Sequence, residues 1–343
     1  MSGKRILITG AEGYLGSIIA PFLIECGYEV TGLDTGFFRD ALLYTVSPYR
    51  VVQKDARDFT VEDLKGIHGV IHLAGISNDP FGDLTAEAIY DPTREYALHI
   101  AKLCKGKGVR FIFASSCSIY GKGTGVFLDE SGEVHPQTPY SKNKLEIEEG
   151  LKRLADQHFS PIALRLSTVF GLSPRMRFDI VINMFVGMAL TSREIVLNSD
   201  GLAWRPNVDI RDVARAFQAA VESEYSEPEL LIVNIGRDDN NLKIRDIADL
   251  VAGETGGVAV KLLKENPESD KEGLVKSQVV QDGVDTRTYR VSFAKMKKWF
   301  PGFKCLYDVE SGVRDLIAGL RELKLDAKLF KDRRFYRLQK IED

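Results

Sequence analysis

The sequence lacks several features that would place it in a specialised class of protein. It has no apolar run close to the ~20 residues that a transmembrane helix needs. Its N-terminal apolar run is short and is cut off by a glycine, which argues against a signal peptide. The formal net charge is only −3 over 343 residues, so we expect no general surface for polyanions. We therefore expect neither membrane nor nucleic acid as a partner.

Cysteine is also scarce, and no Cys-x-x-Cys pair occurs. Such scattered cysteines predict neither a disulfide framework nor a zinc site, and they favour a reducing, cytoplasmic compartment. The histidines His99, His135 and His158 are unpaired as well, so no metal is expected. The four cysteines are Cys26, Cys104, Cys117 and Cys305.

What is present is typical of a globular α/β protein, with 44% hydrophobic and 28% charged residues. In the first half, short apolar runs alternate with segments of helical periodicity, and several runs are unbroken, as in parallel strands covered on both faces. This alternation predicts a Rossmann-type, doubly wound parallel sheet. The predicted strands are Arg5–Thr9, Glu29–Leu33, Arg50–Gln53, Gly69–Leu73, Arg110–Ala114 and Ile162–Leu166. The predicted helices are Tyr14–Cys26, Thr60–Lys65, Ala86–Lys105 and Pro139–Gln157.

The pattern changes at about residue 175. We interpret the segments that follow as a smaller, mixed lobe over the carboxyl edge of the sheet. The predicted domains are a cofactor-binding domain over 1–174, a segment over 175–330 that is mainly a substrate-binding lobe, and a solvated tail over 331–343. The segments assigned to the lobe are helices at Phe178–Leu190, Ile210–Glu222 and Ile244–Ala252, and strands at Glu194–Leu197 and Leu231–Ile235.

A glycine-rich turn follows the first predicted strand and opens the first predicted helix, with the spacing Gly-x-x-Gly-x-x-Gly. Glycines in this context allow a tight turn, a close approach of the backbone to a pyrophosphate and close helix packing. The free amides at the helix N-terminus can then bind phosphate. The spacing differs from the generic Gly-x-Gly-x-x-Gly, so the strand–turn–helix context carries the prediction. The predicted contacts are Gly10, Glu12, Gly13, Tyr14, Leu15 and Gly16.

Residues at the ends of the next strands complete a predicted dinucleotide site. Asp34 ends the second strand, where a carboxylate accepts hydrogen bonds from the ribose hydroxyls and repels a 2′-phosphate, which favours NAD over NADP. Arg39 lies close enough in sequence to keep NADP open as an alternative. Small residues after the fourth strand let the backbone approach the cofactor. The remaining predicted cofactor contacts are Asp55, Ala56, Leu73, Ala74 and Gly75.

Tyr140 and Lys144 lie one helical turn apart. A tyrosine is a poor base at neutral pH, because its ordinary pKa is about 10. A lysine ammonium on the same helix face favours the phenolate, so that the pair could deprotonate a substrate hydroxyl. The spacing is common on exposed helices, so this interpretation depends on the cofactor site around it.

Taken in order, these motifs resemble those of the extended short-chain dehydrogenases/reductases, in the branch of the nucleotide-sugar epimerases and dehydratases. The resemblance covers about residues 5–300. It implies NAD as cofactor, a nucleotide-diphosphate sugar as substrate and a homodimer formed by the helices Ala86–Lys105 and Pro139–Gln157. The motifs that carry it are the glycine turn, Asp34, Asp55, His72-Leu73-Ala74-Gly75, Ser115-Ser116-Cys117-Ser118-Ile119-Tyr120-Gly121 and Tyr140-x-x-x-Lys144.

The resemblance also implies the catalytic roles. Tyr140 would be the general acid/base, and Lys144 would hold the nicotinamide ribose. Ser116 would form a hydrogen bond to the reacting sugar oxygen. Ser115 is the alternative, because neighbouring residues of a strand face opposite sides.

The two residues after Ser116 bear on the reaction type. Sugar 4,6-dehydratases of this family usually carry Asp-Glu there, whereas this chain has Cys117 and Ser118. A cysteine at this place is an acid/base in some related epimerases, but it can also be a small buried residue. We expect an enzyme that acts through a 4-keto intermediate, with epimerisation as the outcome. The alternatives are a 4-dehydrogenase, ketoreductase or dehydratase that releases a ketosugar, and an NAD-binding regulatory protein.

For the substrate lobe, the resemblance implies four further contacts besides Ser116, Cys117 and Ser118. Thr168 occupies a place where asparagine is common, next to the sugar. Asn183 would contact the diphosphate or a uracil-type base, although it could equally lie on a helix surface. Arg205 and Arg287 would bind the substrate diphosphate, which suits the bidentate geometry of guanidinium, but Arg287 could equally be a surface residue.

Overall fold

A computed structural model of the chain describes residues 3–77, 86–262, 280–281 and 284–341. In chain order the strands are β1 (Arg5–Thr9), β2 (Glu29–Asp34), β3 (Val51–Gln53), β4 (Gly69–His72), β5 (Arg110–Ser116), β6 (Lys122–Leu128), β7 (Ile162–Leu166), β8 (Thr168–Phe170), β9 (Glu194–Leu197), β10 (Trp204–Asp209), β11 (Leu231–Ile235), β12 (Asn241–Lys243), β13 (Ala259–Leu262), β14 (Val280–Gln281), β15 (Val284–Asp285) and β16 (Thr288–Val291). The helices are α1 (Gly16–Glu25), α2 (Ala86–Lys107), α3 (Pro139–Leu154), α4 (Val181–Thr191), α5 (Ile210–Glu222), α6 (Ile244–Glu254), α7 (Ala294–Trp299), α8 (Val309–Glu322), α9 (Ala327–Phe330) and α10 (Arg337–Ile341).

Seven parallel strands form the central sheet in the order β11-β7-β5-β4-β1-β2-β3. The chain runs outward from β1 through β2 to β3, and then returns to the other side of β1 with β4. A crevice opens beyond the carboxyl ends of the strands at such a reversal, and there a doubly wound sheet binds its ligand. The predicted fold class is confirmed.

Helices cover both faces of this sheet, which explains the unbroken apolar strands. On one face α1 packs against α5, and their side chains Ile19, Leu23 and Phe217 are fully buried. On the other face α2 packs against α3, burying Ile100 and Ile147. Burial of each such side chain stabilises the fold by about 1.5–3 kcal/mol.

The assignment of Leu231–Ile235 to the smaller lobe is wrong. This strand is β11, which pairs in parallel with β7 along its whole length, from Leu231 beside Ile162 to Ile235 beside Leu166. The helix before it, α5, packs against α1 under the sheet rather than in the lobe. Residue 174 therefore does not bound the sheet, because the chain leaves for the lobe and comes back.

The smaller lobe has its own core, formed by α4, α6, α8 and the short sheets β12-β10-β8 and β13-β9. The predicted solvated tail is wrong for its described part, since Phe335 is 1% exposed and packs on Phe178. The predicted helix Thr60–Lys65 is a single 3-10 turn over Val61–Leu64. Within the described ranges, no helix is long and apolar enough to cross a membrane, and no cluster of side chains could hold a metal ion.

Candidate active site

A cavity of about 1000 Å³ lies between the carboxyl ends of the strands and the smaller lobe. Its walls are the turns after β1, β2, β3, β4, β5 and β7, together with parts of α3, α4 and β10. The cavity brings together most of the predicted site residues: Gly10, Gly13, Tyr14, Leu15, Gly16, Asp34, Asp55, Ala56, Leu73, Ala74, Gly75, Ser116, Ser118, Tyr140, Lys144, Thr168, Arg205 and Arg287. Glu12, Cys117 and Asn183 are not among its lining residues.

The glycine turn forms a cradle in which two of its three glycines leave no space for a side chain. Gly10 has a φ of +72°, and a Cβ there would lie 2.8 Å from the backbone nitrogen of Ala74. A Cβ on Gly16 would lie 2.4 Å from the carbonyl oxygen of Gly10. The backbones of the two turns are thus in close contact, and Leu15 and Gly16, at the start of α1, line the cavity. This cradle fits a dinucleotide pyrophosphate.

We expect Gly16→Ala to lower NADH affinity by at least about tenfold, because the added methyl group must displace the turn that holds the phosphates. Fluorescence titration with NADH measures this. Gly106→Ala is the matched control, since a Cβ at Gly106 on α2 meets nothing within 4 Å. NADH affinity unchanged in Gly16→Ala would contradict the cradle.

Two backbone amides hold the Asp34 carboxylate in place at the cavity. Its Oδ1 accepts a hydrogen bond from the amide of Gly36 at 2.8 Å and its Oδ2 one from the amide of Glu12 at 3.0 Å. Each oxygen keeps a lone pair for a ribose hydroxyl. The Glu12 carboxylate binds Arg39 at 2.8 Å, so Arg39 is engaged and Glu12 acts through its backbone instead of lining the cavity. Burial raises the pKa of Asp34.

Asp55 caps the 3-10 turn Ala56–Asp58 after β3 and accepts hydrogen bonds from the backbone and the guanidinium of Arg57, at 2.8 Å and 2.6 Å. These bonds lower the pKa of Asp55, so it is a fixed carboxylate on the cavity wall. Gly75, in the turn after β4, also lines the cavity. Its φ of +151° is one that other residues rarely adopt, and a Cβ there would lie 3.1 Å from the Thr93 side chain.

Ser116 ends β5 and caps the 3-10 turn that follows, where its Oγ accepts a hydrogen bond from the amide of Ser118 at 3.1 Å. Its neighbour Ser115 is buried, and its hydroxyl donates to Glu148 at 2.5 Å. Of the two serines, Ser116 is the one whose hydroxyl can serve a ligand. Ser118 adds a second hydroxyl, which has no partner within the described residues.

Helix α3 places Tyr140 and Lys144 at the cavity. Thr138 caps the helix by accepting a hydrogen bond from the amide of Ser141 at 3.2 Å, and Pro139 occupies the first turn. The Lys144 Nζ lies 5.6 Å from the centre of the Tyr140 ring and donates to the carbonyl of Ala114 at 2.7 Å. Burial lowers the pKa of Lys144 to about 8, partly offset by the charge of Glu148. Lys144 is therefore protonated at neutral pH and can stabilise a phenolate.

We expect turnover to fall as the pH rises through about 8, because Lys144 then loses the charge that stabilises the Tyr140 phenolate. Measurement of kcat against pH tests this, with protein stability followed in parallel. In Lys144→Arg the residual activity should lack this descending limb, since arginine does not deprotonate in that range. The same limb in both proteins would assign the titration to another group.

Two predicted substrate contacts are turned away from the cavity. Cys117 is 1% exposed, its thiol donates to the carbonyl of Arg165 at 3.2 Å, and burial raises its pKa. Asn183 is fully buried, and its side chain bridges the amide of Gly171 at 3.0 Å and the hydroxyl of Tyr14 at 3.2 Å. Asn183 lies on the inner face of α4, so it braces the lobe against the glycine turn.

The two arginines predicted for the substrate diphosphate share one carboxylate. Asp285 accepts from Arg205 at 2.6 Å and from Arg287 at 3.2 Å. The Arg205 guanidinium also lies 5.7 Å from the centre of the Tyr289 ring. All three charged groups line the cavity, as does Thr168 beside β10.

A buried ion pair behind the site was not predicted from sequence. Arg165 on β7 donates to both oxygens of Glu148 on α3, at 3.0 Å and 2.7 Å, and the two side chains are 3% and 0% exposed. Glu148 also fixes Ser115 at the end of β5. The sequence did hold a hint of this ion pair, because each partner is a charged residue within an otherwise apolar pattern. Arg165 interrupts an apolar strand, and Glu148 lies one helical turn after Lys144.

Comparison with known proteins agrees with this geometry. The model of the NAD dependent epimerase/dehydratase family matches residues 6–236, and the chain belongs to that family. It is accordingly an enzyme that uses NAD, and the resemblance found in the sequence is confirmed. UDP-glucose 4-epimerase of Streptomyces lividans is 27% identical over 296 residues, which cover 81% of this chain and 88% of that protein.

Solved structures share the fold. An NAD-dependent NDP-hexosamine 5,6-dehydratase of tunicamycin biosynthesis superposes with a TM-score of 0.78 at 21% identity, over 94% of this chain and 99% of that one. UDP-glucuronic acid 4-epimerase from Bacillus cereus, in complex with UDP-glucuronic acid and NAD, gives a TM-score of 0.75 at 23% identity, over 93% and 99%. These likenesses establish the architecture.

Proposed function

We propose that the protein is a 4-epimerase of a nucleotide-diphosphate sugar and works through a 4-keto intermediate. The observation that carries this proposal is the reacting centre itself. Tyr140, Lys144 and Ser116 line the same cavity, and the two side chains after Ser116 are a buried thiol and a hydroxyl instead of carboxylates.

The residues divide the chemistry between them. NAD, when bound, supplies the acceptor and later the donor of one hydride. Tyr140 would take the proton of the C4 hydroxyl and return it at the end of the cycle. Ser116 would donate a hydrogen bond to the oxygen that becomes the ketone, while the charge of Lys144 supports the phenolate. Rotation of the ketosugar before re-reduction would invert C4.

The thiol of Cys117 cannot serve as a further acid or base, since it is buried, engaged with the Arg165 carbonyl and raised in pKa. These features argue against the cysteine mechanism that the sequence left open. It also leaves the elimination of water without an acid–base pair next to Ser116. A dehydratase remains the second candidate, because the carboxylate of Asp179 lines the same cavity.

The experiment is incubation of the enzyme with NAD and a panel of nucleotide sugars in D₂O, followed by mass spectrometry and NMR. Epimerisation at C4 leaves the mass unchanged and places no solvent deuterium on carbon. Release of a ketosugar lowers the mass by two hydrogens, and dehydration lowers it by one water and labels a carbon. Absence of an inverted, unlabelled sugar from every member of the panel would refute the proposal.

We further propose that Arg205 and Arg287 bind the substrate diphosphate once it displaces Asp285. Each guanidinium already faces a carboxylate in the cavity, which is the geometry that a phosphate needs. The homodimer through α2 and α3 stays a prediction, which light scattering can test. The cytoplasmic location likewise stays a prediction.

A further inference from the structure

The segment after α9 brings an arginine into the active-site cavity. Arg337, the first residue of α10, is 6% exposed and lines the cavity. Its Cζ lies 3.9 Å from the centre of the Phe38 ring, in the loop after β2. Its Nη2 donates to the carbonyl of Arg175 at 3.2 Å, and its backbone amide to Asp179 at 3.4 Å. Its Nη1 finds no acceptor within the described residues.

The charges around Arg337 do not balance. Arg39 is paired with Glu12 at 2.8 Å and Arg177 with Asp179 at 2.9 Å. Burial lowers the pKa of Arg337 to about 9, so it still carries its charge at neutral pH. A buried cation without a counter-charge is costly, which indicates that an anion completes this site. Within the described residues, the cluster consists of the cations Arg39, Arg175, Arg177 and Arg337 and the anions Glu12, Asp34 and Asp179.

We propose that Arg337 binds a phosphate of the dinucleotide cofactor. The same cavity is lined by the N-terminus of α1, whose amides at Leu15 and Gly16 suit the pyrophosphate, and by the loop after Asp34, which suits the adenosine ribose. A guanidinium in this cavity can meet a phosphate oxygen with charge and a hydrogen bond together. This inference rests on NAD binding and is independent of the sugar. The diphosphate of a nucleotide sugar offers the same chemistry and is the second possible source.

The C-terminal segment is anchored on both sides of the cavity, which fixes the position of Arg337. Lys340 binds Asp40 at 2.8 Å, and Arg334 donates to the Asp40 carbonyl at 3.0 Å, both in the loop after β2. On the lobe side, the amide of Phe178 donates to the carbonyl of Phe335 at 3.1 Å. The arginine lies beyond residues 6–236, which the family model matches.

The test compares Arg337→Met with Lys331→Met. The first removes a buried guanidinium and keeps an apolar chain over Phe38, whereas the second removes an exposed ammonium from the same C-terminal segment. We expect Arg337→Met to weaken ADP and NADH binding by about tenfold or more, and adenosine and UDP binding by less than about twofold. Competition against NADH fluorescence measures the affinities for ADP and adenosine, and isothermal titration calorimetry measures the affinity for UDP. Lys331→Met should match the wild type throughout.

If only the affinity for UDP falls, Arg337 contacts a phosphate of the nucleotide sugar, and its assignment to the cofactor is overturned. Unchanged affinities for both ADP and UDP would overturn the proposal, and so would a loss for adenosine as large as that for ADP. Should Arg337→Met fold poorly, Arg337→Lys is the second variant, because lysine keeps the positive charge but lacks the planar, two-pronged hydrogen-bonding geometry of guanidinium. For either variant, a lower melting temperature with an undiminished NADH-induced rise would show a purely structural role and overturn the proposal.

Discussion

Replacement of Tyr140 by phenylalanine should reduce turnover by about a hundredfold to ten-thousandfold, the usual contribution of a general acid–base group. The change removes one oxygen and keeps the ring, which lies 6.5 Å from the ring of Tyr90 and 5.6 Å from the ammonium of Lys144. The cradle at Gly10 and Gly16 is untouched. NADH affinity should therefore stay within about twofold of the wild type, since only a few hydrogen-bond contacts of one group are lost.

Single-turnover measurement of NADH formation with a nucleotide sugar gives the loss directly. The matched control is Tyr96→Phe, which removes a phenolic oxygen from the same cavity at the side near Thr93. We expect Tyr96→Phe to keep most of the turnover. If Tyr140→Phe turns over as fast as the wild type, Tyr140 is not part of the mechanism. If Tyr140→Phe and Tyr96→Phe lose the same amount of turnover, Tyr140 contributes through packing and not through proton transfer.

Glu148→Gln should destabilise the protein by about 3–5 kcal/mol, the usual cost of breaking a buried ion pair. The amide keeps the shape of the side chain but leaves Arg165 charged, 3% exposed and without its counter-ion. The midpoint of urea denaturation measures the change. The end of β5 should loosen too, because Glu148 no longer accepts as strongly from Ser115.

Glu146 is the control for this prediction, two residues earlier on the same helix. It pairs with Arg94 at 2.6 Å but is 52% exposed, so Glu146→Gln should cost no more than about 1 kcal/mol. The double variant Glu148→Met with Arg165→Met should recover most of the stability, since no charge then stays unpaired. Equal denaturation midpoints for Glu148→Gln and Glu146→Gln would show that the buried ion pair stabilises the protein no more than the exposed one.

The sequence was sufficient for six of the seven strands of the central sheet and for many of the residues that line the cavity at its carboxyl edge. Strands such as Arg5–Thr9 and Ile162–Leu166 are continuous apolar runs between helices, and period and length identify them without tertiary information. The glycine turn, Asp34 and the Tyr140–Lys144 pair follow strands or open helices, so local context placed them correctly at one edge of the sheet.

What escaped prediction depends on contacts between distant parts of the chain. Leu231–Ile235 reads as a buried strand, but nothing within it indicates that its neighbour is Ile162–Leu166. The family resemblance implied substrate contacts at Cys117 and Asn183, and only the directions of their side chains show that they point away from the cavity. The segment around Arg337 is rich in charge, which is typical of a solvated tail, yet Phe335 anchors it in the lobe.

The return of β11 to the central sheet has a consequence for engineering. Because the chain passes from the sheet into the lobe and back, the lobe is built from several separate segments of the chain. It therefore cannot be exchanged as one continuous segment. A chimera that takes its sugar-binding half from a relative cannot be made with one junction near residue 174. Such a junction would pack the relative's counterparts of α5 and β11 against the parent's α1 and β7, so that two core contacts of the sheet would be formed between unmatched surfaces. Chimeras should instead keep Ile210–Ile235 with the parent that supplies the glycine turn.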